Sequence, residues 1–320
     1  MHRVVIFTNN ESGVPAILIR GALEALASRV DVELAAVCVP NPRAFAGPFC
    51  RHFIHRKLMY IESLLDPALK SRHLLPLPIN LNRLARQFQF KMLVPPEGDI
   101  NHPRFITRLR NEIQPTIALS FYCLQKFSPD LLAIFSHAIN YHNGLLPMYR
   151  GLRATAWSVY HGEQETGFTF HRMSNSFDEG PILVQGALPV SPDQNAFDLD
   201  LEKAIKAATY IPSVLRMVMD GDPGQPQLEK GSYFSKADHL ALTKIYNPAA
   251  LSSVELTRRL RAFACLQIRI ADRWHEVTRI KQWSDQLGKN GRFCFRASDG
   301  VLIELVRFRH LPYTIYRFLA

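Results

Sequence analysis

The sequence predicts an α/β fold, in which a doubly wound, mostly parallel sheet is followed by a smaller β-rich module. Two observations favour the larger part: short apolar runs alternate with stretches of helical periodicity, and Gly or Pro residues separate many of them. Further strand-like segments near the C-terminus favour the smaller part. A chain of 320 residues has room for one large and one small domain.

The chain opens with a β-α-β pattern. Val4–Phe7 is a short apolar run, and Val32–Val39 is a second run that Pro40 closes. Between them, Ala16–Ala27 has the periodicity of a helix. This order is typical of a parallel sheet. The G-x-G-x-x-G phosphate fingerprint is missing and Gly13 stands alone, which disfavours a dinucleotide-dependent dehydrogenase.

The same alternation continues through the middle of the chain. It predicts helices over Asn80–Gln87, Asn101–Ile113 and Leu131–Phe135, and strands over Phe90–Val94, Thr116–Ser120 and His137–Tyr141. Phe197–Met219 predicts one long helix. Gly and Pro residues between Asp220 and Gly224 end this helix and begin a linker.

The last part of the chain predicts a separate small module. It contains a predicted helix over Ser253–Phe263 and predicted strands over Trp274–Ile280, Arg292–Phe295 and Val301–Phe308. We therefore expect a large N-terminal domain over residues 1–220, a linker over 221–239 and a small C-terminal domain over 240–320.

Cysteine usage and hydropathy indicate the cellular compartment of the protein. The five cysteines are Cys38, Cys50, Cys123, Cys265 and Cys294. They are few and scattered, which fits a reducing compartment and argues against a disulfide framework or a cysteine-rich zinc site. The sequence shows no signal-peptide pattern and no apolar run near the roughly 18 residues of a membrane span. We expect a cytoplasmic protein with no membrane association.

The charge is unevenly distributed. The net charge is +10, and residues 251–320 hold 13 Lys and Arg against 6 Asp and Glu. A basic module attracts anionic partners such as nucleic acid, a phosphorylated metabolite or a polyglutamylated folate. A well-solvated basic surface without a partner explains the same pattern equally well.

Polar side chains gather at the end of the strand predicted over residues 137–141. Asn140 and His142 are two residues apart, so both side chains point to the same side of the strand. Open α/β sheets bind ligands at the carboxyl ends of their strands. Asp178 lies further along the chain in a turn-like Asp-Glu-Gly segment.

An Asn, a His and an Asp in one cleft suit acyl transfer to an amine. The Asn can donate a hydrogen bond to a developing oxyanion. The His can also donate one or shuttle a proton, and the Asp can hold the His or take a proton from the amine. No side-chain nucleophile is needed if the amine attacks directly. The residues alone leave a structural role open, because an Asp before Gly is commonly a turn residue.

Ordered motifs in this region resemble the folate-dependent formyltransferase family. That family includes methionyl-tRNA formyltransferase, glycinamide ribonucleotide formyltransferase and enzymes that formylate nucleotide-linked amino sugars. Its site has an Asn-x-His pair, a Ser-Leu-Leu-Pro loop and a downstream Asp. The matching segments here are Asn140-Tyr141-His142, Gly144-Leu145-Leu146-Pro147, Tyr149-Arg150-Gly151, Thr166-Gly167-Phe168-Thr169 and Asp178-Glu179-Gly180. Asp178 follows His142 by 36 residues. The resemblance is strong from Asn101 to Val190.

The resemblance implies the formyltransferase fold, 10-formyltetrahydrofolate as the formyl donor and no metal. Asn140 and His142 would polarise the formyl carbonyl and stabilise the tetrahedral intermediate. Asp178 would assist proton movement from the amine. The donor pocket would comprise Phe121, Tyr122, Leu124, Ser174, Phe177 and Asp178. The substrate loop would comprise Gly144, Leu145, Leu146, Pro147, Arg150 and Gly151. Core packing is the alternative role for Phe121 and Tyr122.

The sequence departs from the family pattern at two places. Gly144 replaces the usual Ser before Leu-Leu-Pro, and Asn143 precedes it. Because this loop shapes the cleft, the departure predicts an unusual acceptor. The Gly-Thr-Pro signature common near the N-terminus of the methionyl-tRNA enzymes is also absent, and Thr8-Asn9-Asn10 stands there instead.

Two acceptor amines fit the family. The length, the basic C-terminal module and the Arg51–Lys57 stretch are compatible with methionyl-tRNA. The missing Gly-Thr-Pro signature and the segment Asn101 to Tyr122 favour a nucleotide-linked amino sugar or a similar small amine, whose diphosphate Arg and Lys would bind. We expect the small amine, with methionyl-tRNA as the alternative.

Hydrolysis of 10-formyltetrahydrofolate is a further alternative within the same resemblance. Formyltetrahydrofolate hydrolases carry a regulatory domain before the same trio, and here the α/β pattern starts at Val4. We therefore expect transfer rather than hydrolysis, from an enzyme that can form a homodimer.

Overall fold

The computed structural model describes residues 1–9, 14–39, 81–270, 272–283 and 294–307. Gly13 and the basic stretch Arg51–Lys57, which the sequence singled out, lie outside these ranges.

A seven-stranded sheet forms the centre of the N-terminal part, with the order β3-β2-β1-β4-β5-β7-β8. Its strands are β1 (His2–Phe7), β2 (Val32–Cys38), β3 (Lys91–Leu93), β4 (Ile117–Phe121), β5 (His137–His142), β7 (Glu165–Arg172) and β8 (Ile182–Pro189). The first five strands in this order pair in parallel, whereas β5–β7 and β7–β8 are antiparallel. The prediction of a mostly parallel, doubly wound sheet is confirmed.

Helices cover both faces of this sheet. They are α1 (Val14–Ala27), α2 (Leu81–Phe88), α3 (Pro103–Arg108), α4 (Pro129–Leu132), α5 (Ala154–His161), α6 (Ala196–Ala208) and α7 (Ile211–Met219). One turn of 3-10 helix spans Pro96–Gly98, and a π-helical turn spans Leu109–Ile113 directly after α3. The helix expected over residues 101–113 is thus shorter and changes type at Leu109.

Strand β1 shows how the two faces are buried. Val4 and Ile6 belong to the core cluster beneath α1, α6 and α7, whereas Val5 and Phe7 belong to the cluster beneath α3. All four side chains are fully buried. A strand covered on both faces reads as a continuous apolar run, which is why its sequence predicted a buried parallel strand.

The single long helix expected over residues 197–219 is wrong. The structure has two helices, α6 and α7, separated at Thr209 and Tyr210. Pro212 lies in the first turn of α7. Proline has no N–H to donate, so it fits a first turn but interrupts a continuous helix. Apolar periodicity continued across the break because both helices bury one face against the same sheet.

A second, five-stranded sheet forms the C-terminal part, with the order β10-β11-β12-β14-β13. Its strands are β10 (Lys244–Ile245), β11 (Leu266–Ile270), β12 (Arg273–Trp283), β13 (Cys294–Arg296) and β14 (Leu302–Arg307). Around it lie α8 (Lys236–Thr243), a 3-10 turn (Pro248–Ala250) and α9 (Ser253–Phe263). This sheet confirms a β-rich C-terminal module.

The two parts of the chain share a small core. Trp157 and Val159 of α5 pack in one cluster with Ala262 and Phe263 of α9. The Tyr160 hydroxyl also donates to a carboxylate oxygen of α9 at 2.9 Å. Helix α9 therefore docks the C-terminal sheet onto α5, the helix that follows the predicted substrate loop.

The segment expected to be a linker packs against the N-terminal part. Gln225 pairs through its backbone with Ile182, and strand β9 (Tyr233–Phe234) pairs in parallel with β6 (Arg150–Gly151). The Phe234 ring stacks on Trp157 with centroids 4.2 Å apart. These contacts attach the segment 221–239 to the N-terminal part. The domain boundaries at residues 220 and 240 stay a prediction.

Across the described residues, no helix combines the length and the apolar character needed to cross a membrane.

Candidate active site

Strand β5 delivers two polar side chains to the carboxyl edge of the sheet. Asn140 is partly buried and His142 is 5% exposed. The antiparallel register places His171 of β7 directly opposite Asn140. Because β5 pairs in parallel with β4 and antiparallel with β7, a side chain from β7 joins those of β5 at this edge.

Asp178 reaches the same place from the loop between β7 and β8. Its backbone adopts the left-handed region at φ 56°, which Asp tolerates better than most residues. The Gly151 amide donates to Asp178 Oδ2 at 2.8 Å, and Gln227 Nε2 donates to the Asp178 carbonyl at 2.9 Å. A Cβ atom on Gly180 would lie 1.8 Å from the Arg172 carbonyl oxygen, so this turn requires glycine.

The trio predicted from the sequence is assembled in the structure. Asn140 Nδ2 lies 3.5 Å from Asp178 Oδ1, and His142 Nδ1 lies 3.5 Å from Asp178 Oδ2. His171, which the sequence reasoning missed, joins them: its Nε2 atom is 3.1 Å from Asn140 Nδ2 and 3.4 Å from Asp178 Oδ1. The centre is therefore a group of four side chains.

Fixed hydrogen-bond partners orient the two imidazole rings. His142 Nε2 is 2.8 Å from the Tyr149 carbonyl oxygen, and His171 Nδ1 is 2.9 Å from the Arg172 carbonyl oxygen. A carbonyl oxygen only accepts, so each of these ring nitrogens carries the proton. In the neutral form of His142 the lone pair is then on Nδ1, the nitrogen 3.5 Å from Asp178 Oδ2, whereas His171 Nε2 faces both the Asn140 amide and Asp178 Oδ1.

Burial and charge set the protonation states. Burial lowers the pKa of His142, while Asp178 raises it and His171 lowers it. Burial by itself would raise the pKa of Asp178, but His142, His171 and the Gly151 amide together hold the pKa of that carboxyl well below its usual range. At neutral pH the site thus contains an ionised carboxylate beside a neutral imidazole that can accept a proton.

The predicted substrate loop is tied to the sheet beneath it. Thr169 Oγ1 donates to the Gly144 carbonyl at 2.7 Å and accepts from the Leu146 amide at 3.1 Å. Gln185 Nε2 donates to the Leu146 carbonyl at 2.8 Å. Leu146 is buried, so its side chain supports the loop and does not face a ligand.

The more exposed residues of this loop follow Leu146 in the chain. Pro147 and Arg150 are partly exposed, and Arg150 pairs with Glu179 beside Asp178. Tyr149, Gly151 and Arg153 all have positive φ angles of 59°, 89° and 62°. Three left-handed residues within five bring the Gly151 amide to the Asp178 carboxylate. The loop also completes the centre through the Tyr149 carbonyl that holds His142.

The residues assigned to the donor pocket divide into two groups. Phe121 is 1% exposed and packs in the core, so its side chain supports the end of β4 and lines no open surface. Tyr122 is partly exposed with φ 59°. Leu124 and Phe177 are 55% and 49% exposed. Their exposure leaves apolar surface near the centre.

The two segments assigned to the donor pocket face each other. Lys126 Nζ lies 5.4 Å from the centroid of the Phe177 ring, which connects the end of β4 with the loop before Asp178. Ser174 is exposed on that loop, where its hydroxyl bonds the backbone of Ser176. An apolar rim of this kind, next to a polar centre, is typical of a small-molecule site.

Sequence reasoning missed three residues that hold the site together. His171 contacts Asn140, Gln227 holds the turn of Asp178, and Lys203 lies behind the substrate loop. Alternation along β7, in which Thr169 and His171 share a face, was a usable signal for His171. Gln227 and Lys203 stand in a loop and a helix with no pattern that indicates a site.

Among the described residues, no group of three His, Cys, Asp or Glu side chains is arranged to hold a metal ion.

Comparisons with known proteins find formyltransferases. Residues 99–215 match the family model described as formyl transferase. The GDP-perosamine N-formyltransferases of Brucella melitensis and Brucella abortus are each 37% identical over 125 residues, which is 39% of this chain and 47% of the relative. The chain thus spans about half the length of the curated relatives it matches.

Solved structures share the architecture. A sugar N-formyltransferase from a Shewanella species has a TM-score of 0.61 at 19% identity, over 90% of this chain and 100% of that chain. The N-formyltransferase of Helicobacter canadensis, solved with folinic acid and dTDP-3-aminofucose, has a TM-score of 0.58 at 18% identity, over 96% and 100%. At these identities the likeness shows the fold.

Fold and centre together define the class of the molecule: a doubly wound α/β domain with an Asn-His-Asp group at the carboxyl edge of its sheet. All three residues lie within the segment that matches the family model. The match to the formyl transferase family model and the curated relatives support the resemblance to the folate-dependent formyltransferase family that the motifs of this segment carry.

Proposed function

We propose that the protein is an N-formyltransferase that moves a formyl group from 10-formyltetrahydrofolate to the amine of a nucleotide-linked amino sugar. The observation that carries this proposal is that the Asp178 carboxylate lies 3.5 Å from both Asn140 Nδ2 and His142 Nδ1, at the sheet edge of a segment that matches the formyl transferase family model.

Each member of the centre has a separate role. Asn140 directs one N–H to His171 at 3.1 Å, whereas its distance of 3.5 Å to Asp178 is long for a hydrogen bond. Its second N–H is therefore available to the carbonyl oxygen of the formyl group, where negative charge develops.

The proton of the attacking amine goes to the His142–Asp178 pair. His142 Nδ1 carries the free lone pair, and the ionised carboxylate 3.5 Å away stabilises the imidazolium that forms. The same proton then moves to the nitrogen of the donor that leaves. One C–N bond forms and one breaks, and no net proton is gained or lost.

The donor site fits a folate. Leu124 and Phe177 supply exposed apolar surface, Phe177 directly before Asp178, and half-buried Tyr122 directly follows β4. The structure from Helicobacter canadensis contains folinic acid, which supports a folate donor here. Lys126 provides a positive charge at the rim.

Two findings support a nucleotide-linked amino sugar as the acceptor. The curated relatives, 37% identical over 125 residues, are GDP-perosamine N-formyltransferases. The structure from Helicobacter canadensis contains dTDP-3-aminofucose and aligns over 96% of this chain. Methionyl-tRNA remains the alternative acceptor to be tested beside them.

The test is release of tetrahydrofolate from 10-formyltetrahydrofolate, with product mass measured in parallel. GDP-perosamine, dTDP-3-aminofucose, initiator methionyl-tRNA and a mixture without amine are compared. Turnover with a nucleotide-linked amino sugar supports the proposal when the product is about 28 Da heavier than the amine, which is the mass of one added CO unit. Turnover with methionyl-tRNA alone, or release without any amine, would instead identify the tRNA enzyme or a hydrolase.

Asn140→Ala tests the site within the same assay. Loss of an oxyanion donor costs about 10²–10³-fold in kcat. Asn111→Ala is the matched control, because Asn111 is exposed on the π-helical turn far along the chain from the centre. Near-wild-type transfer by the folded Asn140→Ala variant would remove Asn140 from the catalytic centre.

A further inference from the structure

One lysine is buried completely inside the N-terminal domain. Lys203 lies on the inner side of α6 and is 0% exposed. Lysine is almost never fully buried without partners, because its charge must leave water. Its Nζ atom is 2.9 Å from the Asn143 carbonyl oxygen, 2.9 Å from Thr155 Oγ1 and 2.8 Å from Thr166 Oγ1. These three acceptors match the three N–H donors of an ammonium group.

Two residues of α6 bind Asn143, one at its backbone carbonyl and one at its side-chain amide. Lys203 binds its backbone carbonyl, and Asp200 accepts from its side-chain amide at 3.1 Å. Thr155 connects the two, because its hydroxyl donates to Asp200 and accepts from Lys203. Asn143 follows His142 directly, so this network defines where the backbone goes immediately after the imidazole.

The charge of Lys203 also acts on the imidazole of His142. The groups that act on the pKa of His142 are, after burial, Asp178 from the β7–β8 loop, His171 from β7, the Tyr149 carbonyl and the Lys203 ammonium from α6. Asp200 on the same helix faces Lys203. The positive charge of Lys203 lowers the pKa of His142, which favours the neutral imidazole that accepts a proton.

We propose that Lys203 is a positioning residue, which fixes the imidazole of His142 by holding the backbone carbonyl of Asn143. The inference rests on the proposed formyl transfer. It assigns to Lys203 no contact with substrate. Without the ammonium group, the Asn143 carbonyl loses its buried partner and the turn between His142 and Gly144 can relax. Displacement of a catalytic group by about 1 Å can cost about 10²-fold in rate.

Lys206 provides a matched control on the same helix. Its Nζ atom donates to the Ala187 carbonyl of β8 at 2.7 Å, so it too joins α6 to the sheet through a backbone oxygen. It does not contact the strand end that carries the trio. Lys203→Met and Lys206→Met therefore each remove one helix-to-backbone bond, at Asn143 and at Ala187 respectively, and Lys203→Met also removes the bonds to Thr155 and Thr166.

The experiment measures three quantities in the full chain with each substitution: melting temperature, kcat and KM across pH 5.5–9, and the His142 pKa by NMR. The resonance of His142 is identified by its loss in His142→Gln. For Lys203→Met we expect kcat to fall about tenfold or more with KM changed less than about threefold. For Lys206→Met we expect kcat within about twofold of wild type.

The pH profile separates positioning from plain structural support. Removal of the positive charge raises the pKa of His142, so the acidic limb of kcat/KM moves to higher pH in Lys203→Met and stays in place in Lys206→Met. A folded Lys203→Met protein with the kcat and acidic limb of Lys206→Met would overturn the proposal.

Two other cases have a defined outcome: a Lys203→Met variant that does not fold, and a wild type that transfers no formyl group. If Lys203→Met does not fold, Lys203→Gln removes the charge and shortens the side chain but keeps polar atoms for Thr155 and Thr166; unchanged kcat and an unchanged His142 pKa in that variant would overturn the proposal. If the wild type transfers formyl to no acceptor, the proposed function fails by itself, while the NMR pKa of His142 still reports whether Lys203 controls the imidazole.

Discussion

The strand-end centre and the C-terminal sheet bury different kinds of side chain. The core of the C-terminal sheet is built from Ile245, Leu256, Leu266, Ile268, Val277, Ala297, Ile303 and Leu305. At the edge of the N-terminal sheet, His142, His171 and Lys203 are buried together, and the Asp178 carboxylate is 10% exposed.

This difference separates stability from chemistry. Apolar burial contributes to folding in proportion to area, and removal of a buried methylene costs free energy of unfolding. Buried charged groups contribute little net stability, because desolvation offsets their attraction. Substitutions in the centre should therefore cost activity, and substitutions in the C-terminal core should cost stability.

The largest effect is expected for Asp178→Asn. Asparagine tolerates the left-handed backbone of this position, so the turn is retained, but the neutral amide cannot stabilise an imidazolium. We expect kcat for formyl transfer to fall about 10²–10⁴-fold. Asp299→Asn is the control in the C-terminal part, where Asp299 accepts from the Ser253 amide at 2.8 Å. It should lower the melting temperature slightly and leave kcat unchanged.

Leu266→Ala tests the other side of the comparison. Leu266 is fully buried in the C-terminal sheet, and truncation of such a side chain costs about 2–5 kcal/mol of unfolding free energy. We expect denaturant unfolding at a lower midpoint, with kcat unchanged below the transition. If the folded variant loses kcat, the C-terminal module contributes to the centre, and the separation of the two regions fails.

A smaller effect on activity is expected for Gly144→Ala. A Cβ atom at this position would lie 2.9 Å from His142 Nε2 and 2.9 Å from the Cβ atom of Ala154, closer than real Cβ contacts. The imidazole must then move away from the Tyr149 carbonyl that holds it. We expect kcat to fall about tenfold with little change in melting temperature. Unchanged kcat would show that the ring can shift without loss of function.

The last effect is a pH dependence of stability. Burial lowers the pKa of Lys203 from its ordinary 10.5 to about 7. Between these values the unfolded chain binds a proton that the folded chain does not, so this lysine makes stability rise as pH rises from about 7 to about 10.5. The difference in unfolding free energy between wild type and Lys203→Met should increase over that window. A difference that is flat with pH would contradict the lowered pKa.

Much of the fold followed from periodicity. Val4–Phe7, Ala16–Ala27 and Val32–Val39 became β1, α1 and β2 with shifts of a few residues at their ends. Such elements are predictable because burial on one or two faces leaves a direct pattern in the sequence. The break between α6 and α7 was missed because both helices cover the same sheet, and Pro212 was the local signal against a single helix.

The candidate site was partly predictable in the same way. Asn140 and His142 share a face because they are two apart on a strand, and the family motif added Asp178. Phe121 was assigned to the donor pocket, yet its side chain is in the core, because the sequence does not show which face of β4 the helices cover.

By itself the sequence determined the α/β class, the strand that ends at His142 and the residue types of the trio, since these depend on local periodicity and on an ordered motif. Tertiary structure decided the rest. It placed His171 against Asn140 through antiparallel register, brought Gln227 back to the turn of Asp178 and buried Lys203 behind Asn143. Those contacts join residues far apart in the chain, and only the packing of helices and strands into one core specifies which of them meet.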